Sequence, residues 1–359
     1  MYGPEKTILG LCGALERIGH PCRIGLIHRR FAGDPERHPM ADLATAQGTP
    51  YEELEGRPAH LGRLVLGLRR RLSEGAFDVL HTHDYKADMV GVLATRGWRS
   101  RPALVATPRH SESEPLVAAL QWIDRGFLRY FDRVTESSEP AVDRLRRSAA
   151  LRGKTRLVRH GTDPGSFGAT GELPTPQPGP VISMVARLFK VKGHDCVLSA
   201  VARVAHELPD VQLWLVGDGP LAGDLKHLSD KLGIGSRVHF LGYRHDVDQI
   251  LRVSQVTVVA SAFETSCRTA MEALRLGCPL VATPVGVIPE LVGDNEAGLL
   301  TPIGDVEAMA RTLLRVLTEP GLAERLRTQG LERSRTARSH ADAATDMAIV
   351  YADAVRERR

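Results

Sequence analysis

The chain has 359 residues, of which 43% are hydrophobic and 25% are charged, and its formal net charge is +4. This length suits two domains rather than one, and a net charge this small does not argue for a nucleic-acid partner. No run of residues is apolar for long enough to span a bilayer. The five cysteines are scattered and form no Cys-x-x-Cys, which indicates reduced thiols and a cytoplasmic protein.

From its first residues the chain alternates between predicted helices and short apolar strands. A helix with Ile8, Leu11, Leu15 and Ile18 on one face comes first. Eleven apolar runs follow, separated by amphipathic stretches: 22–27, 79–81, 103–106, 133–135, 156–158, 181–185, 211–216, 238–241, 256–260, 280–282 and 298–300. This alternation predicts an α/β protein with parallel sheets covered by helices on both faces.

The organisation of these elements predicts two domains. Alternating prolines in 172–180 prevent a helix and favour a semi-rigid linker. We therefore expect an N-terminal domain in residues 1–172, a C-terminal domain in residues 173–338, and a helix in 339–359 that packs back toward the N-terminal domain. A doubly wound domain should open with a strand, so the first strand of the N-terminal domain is missing, and we expect the natural start to lie upstream of Met1.

An amphipathic stretch, residues 61–72, lies in the half of the chain that carries the basic excess. Its leucines and valine share one face and arginines crowd the other. Such a helix could make peripheral contact with an anionic membrane. A helix that packs its apolar face in the core and exposes its arginines to solvent is favoured.

Two motifs have alternative interpretations as metal sites. His81 and His83 end a predicted strand and would point the same way, but no further set of ligands follows at a recognisable spacing. Asp246-Val247-Asp248 resembles the metal-binding Asp-x-Asp of one class of sugar transferases. It lies at a predicted helix start, where Asp246 as an N-cap is favoured. We therefore expect no metal.

Two loops that follow strands could contact phosphates. Arg187 and Lys192 flank a strand-to-helix turn, where two cations can neutralise a diphosphate, although surface charge is the simpler interpretation of this loop alone. Gly217, Gly219 and Ala222 fit the Gly-x-Gly-x-x-Ala fingerprint of nicotinamide-cofactor domains. However, they follow the second strand of their domain, and no acidic residue ends the next strand. The glycines are better explained by backbone approach to a nucleotide or by a tight turn, and no cofactor is expected.

Glu264 and Glu272 carry the strongest functional signal. Glu264 lies in the loop after the apolar run 256–260, and Glu272 lies about two turns into the helix that follows, on nearly the same face. The helix N-terminus between them suits a phosphate. A carboxylate on each side of such an anion site can hold sugar hydroxyls by charge-assisted hydrogen bonds, which predicts a nucleotide-sugar site.

Together these residues resemble the retaining glycosyltransferases of family 4, the group 1 glycosyl transferases, which have the GT-B fold of two Rossmann-like domains facing across a cleft. The resemblance covers nearly the whole chain and rests on motifs that occur in order: Gly-Pro-Glu-Lys-Thr at 3–7, Asp-Val-Leu-His-Thr-His at 78–83, Phe-Asp-Arg-Val at 131–134, His-Gly-Thr-Asp at 160–163, 187–193, Gly-Asp-Gly-Pro at 217–220, 264–272 and Pro-Glu at 289–290.

The resemblance also implies residue roles. Arg187 and Lys192 would bind the donor diphosphate, Glu264 the hydroxyls of the donor sugar and Glu272 the ribose hydroxyls. Backbone N–H groups of Thr265, Ser266, Cys267 and Arg268 would face the phosphate or the sugar, and Gly217 and Gly219 would line the donor site. His110 looks like the family's histidine near the reacting centre, one residue further from the strand than expected. The chain also has Thr265 and Val287 where glycine is usual, and His160 where asparagine is usual.

These features predict transfer of a sugar from a nucleoside-diphosphate sugar to a hydroxyl of a saccharide or lipid-linked acceptor, with retention at the anomeric carbon. A role in cell-surface polysaccharide or glycolipid synthesis follows from the family. Two alternatives remain open: a sugar-nucleotide epimerase of the same fold, and an inactive nucleotide-sugar-binding protein. The products formed would separate them.

Overall fold

The computed structural model describes residues 3–28, 39–55, 61–108, 125–161, 179–244, 246–264, 266–335 and 338–358. The described residues form two compact units. Unit 1 contains those up to Gly161 together with those from Arg338 onward, and unit 2 contains those between them. Of the proline-rich segment 172–180, only Gly179 and Pro180 are described.

Unit 1 is built from parallel strands and helices. Its strands are β1 (Ile24–His28), β2 (Tyr51–Glu55), β3 (Val79–His83), β4 (Ala103–Thr107), β5 (Arg133–Glu136) and β6 (Thr155–Leu157). Its helices are α1 (Gly3–Arg17), α2 (Pro39–Ala46), α3 (Leu61–Glu74), α4 (Tyr85–Thr95), α5 (Glu139–Arg146), α6 (Ala149–Arg152) and α14 (His340–Arg356). β3, β4, β5 and β6 form one parallel sheet in chain order, whereas β1 and β2 pair with each other in a separate sheet. The unit thus begins with a helix, and its described strands do not join into one sheet.

β2 is the one described strand that the apolar pattern does not predict. Its sequence, Tyr-Glu-Glu-Leu-Glu, carries three acidic residues and one aliphatic residue. The strand forms because its backbone pairs along its whole length with the apolar β1, and Leu54 is buried. Glu52 also accepts ion pairs from Arg23 and from Arg71 at the end of α3. Tertiary pairing here outweighs a weak intrinsic strand propensity.

α14 completes unit 1 from the far end of the chain. It begins with a capping box, in which the Ser339 hydroxyl accepts from the Asp342 N–H and the Asp342 carboxylate accepts from the Ser339 N–H. Its small and apolar face packs with residues of α1 and β4 in one buried cluster. The last turn is fixed by Arg133 at the start of β5, whose guanidinium donates to both carboxylate oxygens of Glu357 at 2.5 Å.

Unit 2 has one parallel sheet of six strands in the order β12-β11-β10-β7-β8-β9. The strands are β7 (Val181–Val185), β8 (Gln212–Val216), β9 (Val238–Gly242), β10 (Val256–Val259), β11 (Leu280–Ala282) and β12 (Leu299–Leu300). The helices are α7 (His194–Glu207), α8 (Ala222–Lys231), α9 (Val247–Val253), α10 (Arg268–Leu276), α11 (Ile288–Val292), α12 (Val306–Thr318) and α13 (Leu322–Arg335). A buried apolar cluster covers each face of the sheet. Because the chain runs from β7 to β8 on one side and later crosses to β10 on the other, β7 and β10 flank a topological switch point.

The apolar face of α3 is used inside unit 1. Leu61, Leu64, Val65 and Leu68 belong to a cluster with residues of β2 and α4. The guanidinium of Arg69 donates to carbonyl oxygens at the end of α4. The favoured core-packing interpretation of this helix is therefore confirmed. No helix among the described residues is long and apolar enough to cross a membrane.

Candidate functional site

The carboxyl ends of β7 and β10 bring together two predicted site residues that are far apart in the sequence. The Lys192 ammonium forms an ion pair with Oε1 of Glu264, and the Ser261 hydroxyl donates to the same oxygen at 2.8 Å. Both members of the ion pair are largely buried, with side chains 15% and 17% exposed. Within the part of the chain that the structure describes, Oε2 of Glu264 has no recorded partner, so it can accept a hydrogen bond from a ligand hydroxyl.

Backbone contacts hold these two loops against each other. The Ala262 N–H donates to the Val191 carbonyl oxygen at 2.8 Å, inside the 3₁₀ turn formed by Lys190–Lys192. Gly193 follows with φ of 72°, and a side chain there would overlap the Ala260 carbonyl. Glycine is required at this position for both reasons. The register of Lys192 against Glu264 is thus set by the backbone.

Gly217 and Gly219 fix the loop that carries Arg187. The Ala186 and Leu188 N–H groups donate to the carbonyl oxygens of Val216 and Asp218 at 2.9 and 3.0 Å, which extends the β7–β8 pairing beyond the strands. A Cβ at Gly219 would lie 2.6 Å from the Leu188 carbonyl oxygen, and one at Gly217 would overlap the Ala186 carbonyl. These glycines therefore permit two loops to approach closely, which gives them a structural reason independent of any nicotinamide cofactor.

Arg187 projects from this loop against an aromatic ring. The carbon at the centre of its guanidinium lies 4.8 Å from the centroid of the Phe189 ring, a cation–π arrangement. Such a contact orients the planar group without neutralising its charge. A guanidinium in this loop has the fork geometry that suits phosphate oxygens.

Glu272 is held in a second charged pair near the start of α10. The Arg268 Nε donates to Oε1 of Glu272 at 2.6 Å, one turn apart on the helix, and both side chains are largely buried. The predicted distance of two turns into the helix is wrong: the helix begins at Arg268, so Glu272 is its fifth residue. Cys267, whose backbone is left-handed with φ of 31°, is the N-cap of this helix.

Cys267 and His194 are buried titratable groups beside these charges. Burial, followed by the nearby Glu264 carboxylate, raises the pKa of the Cys267 thiol far above its usual range, so the thiol stays protonated and is a poor nucleophile. Burial also lowers the pKa of His194, the first residue of α7, to about 4. The imidazole two residues after Lys192 is therefore neutral, and it adds no second positive charge beside the ammonium.

Three hydroxyl residues of this site were not predicted. Ser261 contacts Glu264, as described above. The Thr269 hydroxyl donates to the Val185 carbonyl oxygen at 2.9 Å and ties α10 to the end of β7, while the Thr283 hydroxyl donates to the Ser261 carbonyl oxygen at 2.6 Å. The detectable signal was Ser261 three residues before the glutamate and directly after the apolar run. The contacts of Thr269 and Thr283 join elements that are far apart in the sequence, so no local pattern predicts them.

Two predicted site residues, His110 and Thr265, lie outside the described residues. Ser266 lies in the loop between Glu264 and α10.

His81, one of the two histidines with an alternative interpretation as metal ligands, contacts other residues of the protein through both ring nitrogens. Its Nδ1 and Nε2 lie 2.7 Å from Tyr351 Oη and 2.8 Å from Thr107 Oγ1, so both ring nitrogens are used. Burial, followed by the charge of His160, lowers the pKa of His81 to about 3. Among the described residues, no group of three or more His, Cys, Asp or Glu side chains is placed to hold a metal ion.

Asp246 occupies the N-cap position of α9, as predicted, but its carboxylate is held by a neighbour. The Arg244 guanidinium donates to both of its oxygens, at 2.8 and 2.6 Å. The carboxylate is fully buried and paired, which leaves it unsuited to bind a metal ion.

The sequence is similar to known glycosyltransferases over most of its length. Residues 1–166 match the sequence model described as Glycosyltransferase Family 4, and residues 170–333 match the one described as Glycosyl transferases group 1. The chain is 29% identical over 349 residues to a D-inositol 3-phosphate glycosyltransferase of Streptomyces avermitilis, covering 86% of this chain and 74% of the relative. It is 33% identical over 179 residues to the lipopolysaccharide core biosynthesis glycosyltransferase LpsE of Rhizobium meliloti, covering 49% of this chain and 52% of that relative.

Solved structures give the same result for the fold. Sucrose-phosphate synthase from Thermosynechococcus elongatus superposes with a TM-score of 0.80 at 23% identity, over 98% of this chain and 93% of that one. Anabaena HepE in complex with UDP-glucose superposes with a TM-score of 0.80 at 20% identity, over 97% and 95%. The two sequence models together cover most of both units, and the resemblance seen in the motifs is confirmed. The chain belongs to glycosyltransferase family 4, within the group 1 glycosyl transferases, and has the GT-B fold.

Proposed function

We propose that unit 2 binds a nucleoside-diphosphate sugar at the switch point of its sheet. We further propose that the protein transfers the sugar, with retention at the anomeric carbon, to a hydroxyl of a saccharide or lipid-linked acceptor. The observation that carries this proposal is the contact of Lys192, which follows β7, with Glu264. Ser261 donates to the same glutamate, and both residues lie in the loop between β10 and α10. HepE, which shares the fold, has been solved with UDP-glucose and with UDP.

The two glutamates share a feature that suits them to bind hydroxyls. Each carboxylate is held through Oε1 by a cation of the protein, Lys192 for Glu264 and Arg268 for Glu272. Within the described residues, no partner is recorded for either Oε2. A cation on one oxygen orients the carboxylate, while the other oxygen remains available as a strong acceptor. In this proposal Oε2 of Glu264 accepts from the donor sugar and Oε2 of Glu272 accepts from the ribose.

The chemical step needs charge stabilisation on the leaving diphosphate. Arg187 and Lys192 supply positive charge on the loop after β7, and the first N–H groups of α10 can add hydrogen bonds. The acceptor hydroxyl loses its proton to the departing phosphate on the same face of the sugar, which gives retention. By resemblance, His110 lies near the reacting carbon. Because two side chains carry the positive charge, we propose that no metal is required, and EDTA should leave the rate unchanged.

The acceptor and the setting are proposed from the relatives. LpsE takes part in lipopolysaccharide core biosynthesis, which supports a role in cell-surface polysaccharide or glycolipid synthesis. We place the reaction in the cytoplasm, where a lipid-linked acceptor would require peripheral contact with the inner face of the membrane.

The test begins with a thermal-shift screen of UDP-, GDP- and ADP-sugars on the purified chain, since a specific donor stabilises the protein by mass action. The stabilising donor is then incubated with candidate acceptors, and the anomeric protons of the product are followed by NMR. We expect a glycosylated acceptor with the donor's anomeric configuration. An isomerised donor without acceptor would identify an epimerase, binding without any product would identify an inactive relative, and an inverted product would refute retention.

A further inference from the structure

Unit 1 contains a cavity at the amino edge of its four-stranded sheet. The cavity has a volume of about 720 Å³. It opens between the end of α4, the loop that leads into β4, and residues 126–130, which precede β5. This volume is typical of sites for small organic ligands.

The cavity has an excess of positive charge. Its described lining includes four arginines and no carboxylate: Arg96, Arg99, Arg101 and Arg129. Arg101 is neutralised, because its guanidinium donates to both oxygens of Asp132, at 2.7 and 3.0 Å. Within the described part of the chain, the side chains of Arg96 and Arg99 have no recorded partner, and both residues are exposed. At least two guanidinium groups at the rim are therefore available to an anion.

The rest of the lining is largely apolar and includes three aromatic residues, two of which contact arginines. Trp98 donates from its indole nitrogen to the Ser100 hydroxyl at 2.9 Å, and the Arg69 guanidinium lies 5.7 Å from the centroid of the indole ring. The Arg129 guanidinium lies over the Tyr130 ring and donates to its hydroxyl at 2.9 Å. Phe127 completes the aromatic wall. Fixed aromatic surfaces next to guanidinium groups suit a ligand with a planar or apolar body and an anionic end.

The cavity is distinct from the proposed donor site. It lies in unit 1, whereas Lys192 and Glu264 lie in unit 2. It is also at the edge where β4 and β5 begin, and substrates of doubly wound domains bind at the edge where the strands end. A ligand here would contact the loop between α4 and β4, whose Arg99 carbonyl oxygen accepts from the Arg358 guanidinium at 2.6 Å.

We propose that this cavity is a second binding site, for a small organic phosphate that places its phosphate between Arg96 and Arg99 and its planar or apolar body against Trp98, Phe127 and Tyr130. Arginine forks match phosphate oxygens in pairs, and the aromatic walls add contact area for the body. The site therefore selects phosphorylated ligands over inorganic phosphate and over their dephosphorylated forms.

Phenyl phosphate is a suitable probe because it combines both halves of the ligand. Isothermal titration of the full chain should show that phenyl phosphate binds several-fold more tightly than inorganic phosphate, and that phenol does not bind measurably. Replacing both rim arginines (R96Q/R99Q) should weaken phenyl phosphate binding at least about tenfold, since each removes a charge-assisted hydrogen bond. The matched control R147Q/R252Q removes two exposed arginines elsewhere and should bind normally.

The donor site could also bind a phosphate, so K192M is titrated in parallel. Unchanged phenyl phosphate binding in K192M supports the cavity, and equal loss in K192M assigns the probe to the donor site and overturns the proposal. Unchanged binding in R96Q/R99Q overturns it as well. Vesicles containing phosphatidylglycerol form the last arm: if they bind through Arg96 and Arg99 while phenyl phosphate does not bind, the arginines form a membrane-facing patch and the proposal fails.

Discussion

The Lys192–Glu264 pair makes separable predictions for stability and for turnover. Both side chains are more than four-fifths buried. Removing one partner of such a pair leaves the other charge without compensation, which typically costs about 3–5 kcal/mol. The Ser261 hydroxyl still donates to Glu264, so we expect K192M to lower the free energy of unfolding by about 3 kcal/mol, the low end of this range. For a unit of this size that loss lowers the melting temperature by about 6–12 °C.

The double variant K192M/E264Q should recover much of that stability, because it leaves no uncompensated charge in the site. Turnover should not recover. Losing a charge-assisted donor to the leaving diphosphate removes about 3–4 kcal/mol of transition-state stabilisation, a factor of about 10²–10³ in kcat. The assay therefore compares thermal melting and kcat for the wild type, both single variants and the double variant.

An exposed ion pair in the same unit provides the matched control. Arg203 and Glu307 form a salt bridge with side chains 52% and 54% exposed. R203M and E307Q should each change stability by less than about 1 kcal/mol and leave kcat unchanged. The reasoning is refuted if K192M melts like the wild type, if the double variant loses as much stability as the two single variants summed, or if it regains turnover.

Two further predictions concern the loop glycines and the buried histidine. G219A should weaken donor binding, because its Cβ would lie 2.6 Å from the Leu188 carbonyl oxygen and would displace the Arg187 loop, whereas G223A, in open space on α8, should bind normally in the same thermal-shift titration. His81 should make unit 1 less stable in acid. Burial lowers its pKa to about 3 in the folded protein, against about 6.5 in the unfolded chain. The free energy of unfolding is therefore unaffected by His81 above pH 6.5 and falls by up to about 1.4 kcal/mol per pH unit between pH 6.5 and 3. H81Q should show a shallower loss of melting temperature over that range, and an unchanged slope would exclude His81 as the cause.

The parts of the site that could be predicted from the sequence depend on apolar runs that form buried strands. The run Val-Thr-Val-Val before Glu264 is β-branched and fully buried. Such a continuous run is typical of a buried strand, and it identified β10 and hence the loop that carries Glu264. Each of the eleven predicted apolar runs overlaps a strand of the structure.

The remainder depended on contacts that no local pattern records. Lys192 and Glu264 are separated by 72 positions, and only the strand order of the sheet makes them partners. Cys267 has a left-handed backbone although it is not a glycine, and no local pattern predicts this conformation. β2 was missed because its stability comes from pairing with β1 and from arginines on other elements.

The discontinuous composition of unit 1 has a consequence for biosynthesis. Helix α14 supplies Tyr351 to His81, and Glu357 just after it pairs with Arg133, so the N-terminal part of the chain lacks these partners until residues 351 and 357 have been synthesised. The described strands of unit 2 are all synthesised by residue 300. Domains usually fold in the order in which they emerge from the ribosome. In this protein the order should be reversed, with the later half reaching its native state first and the earlier half waiting for the final helix.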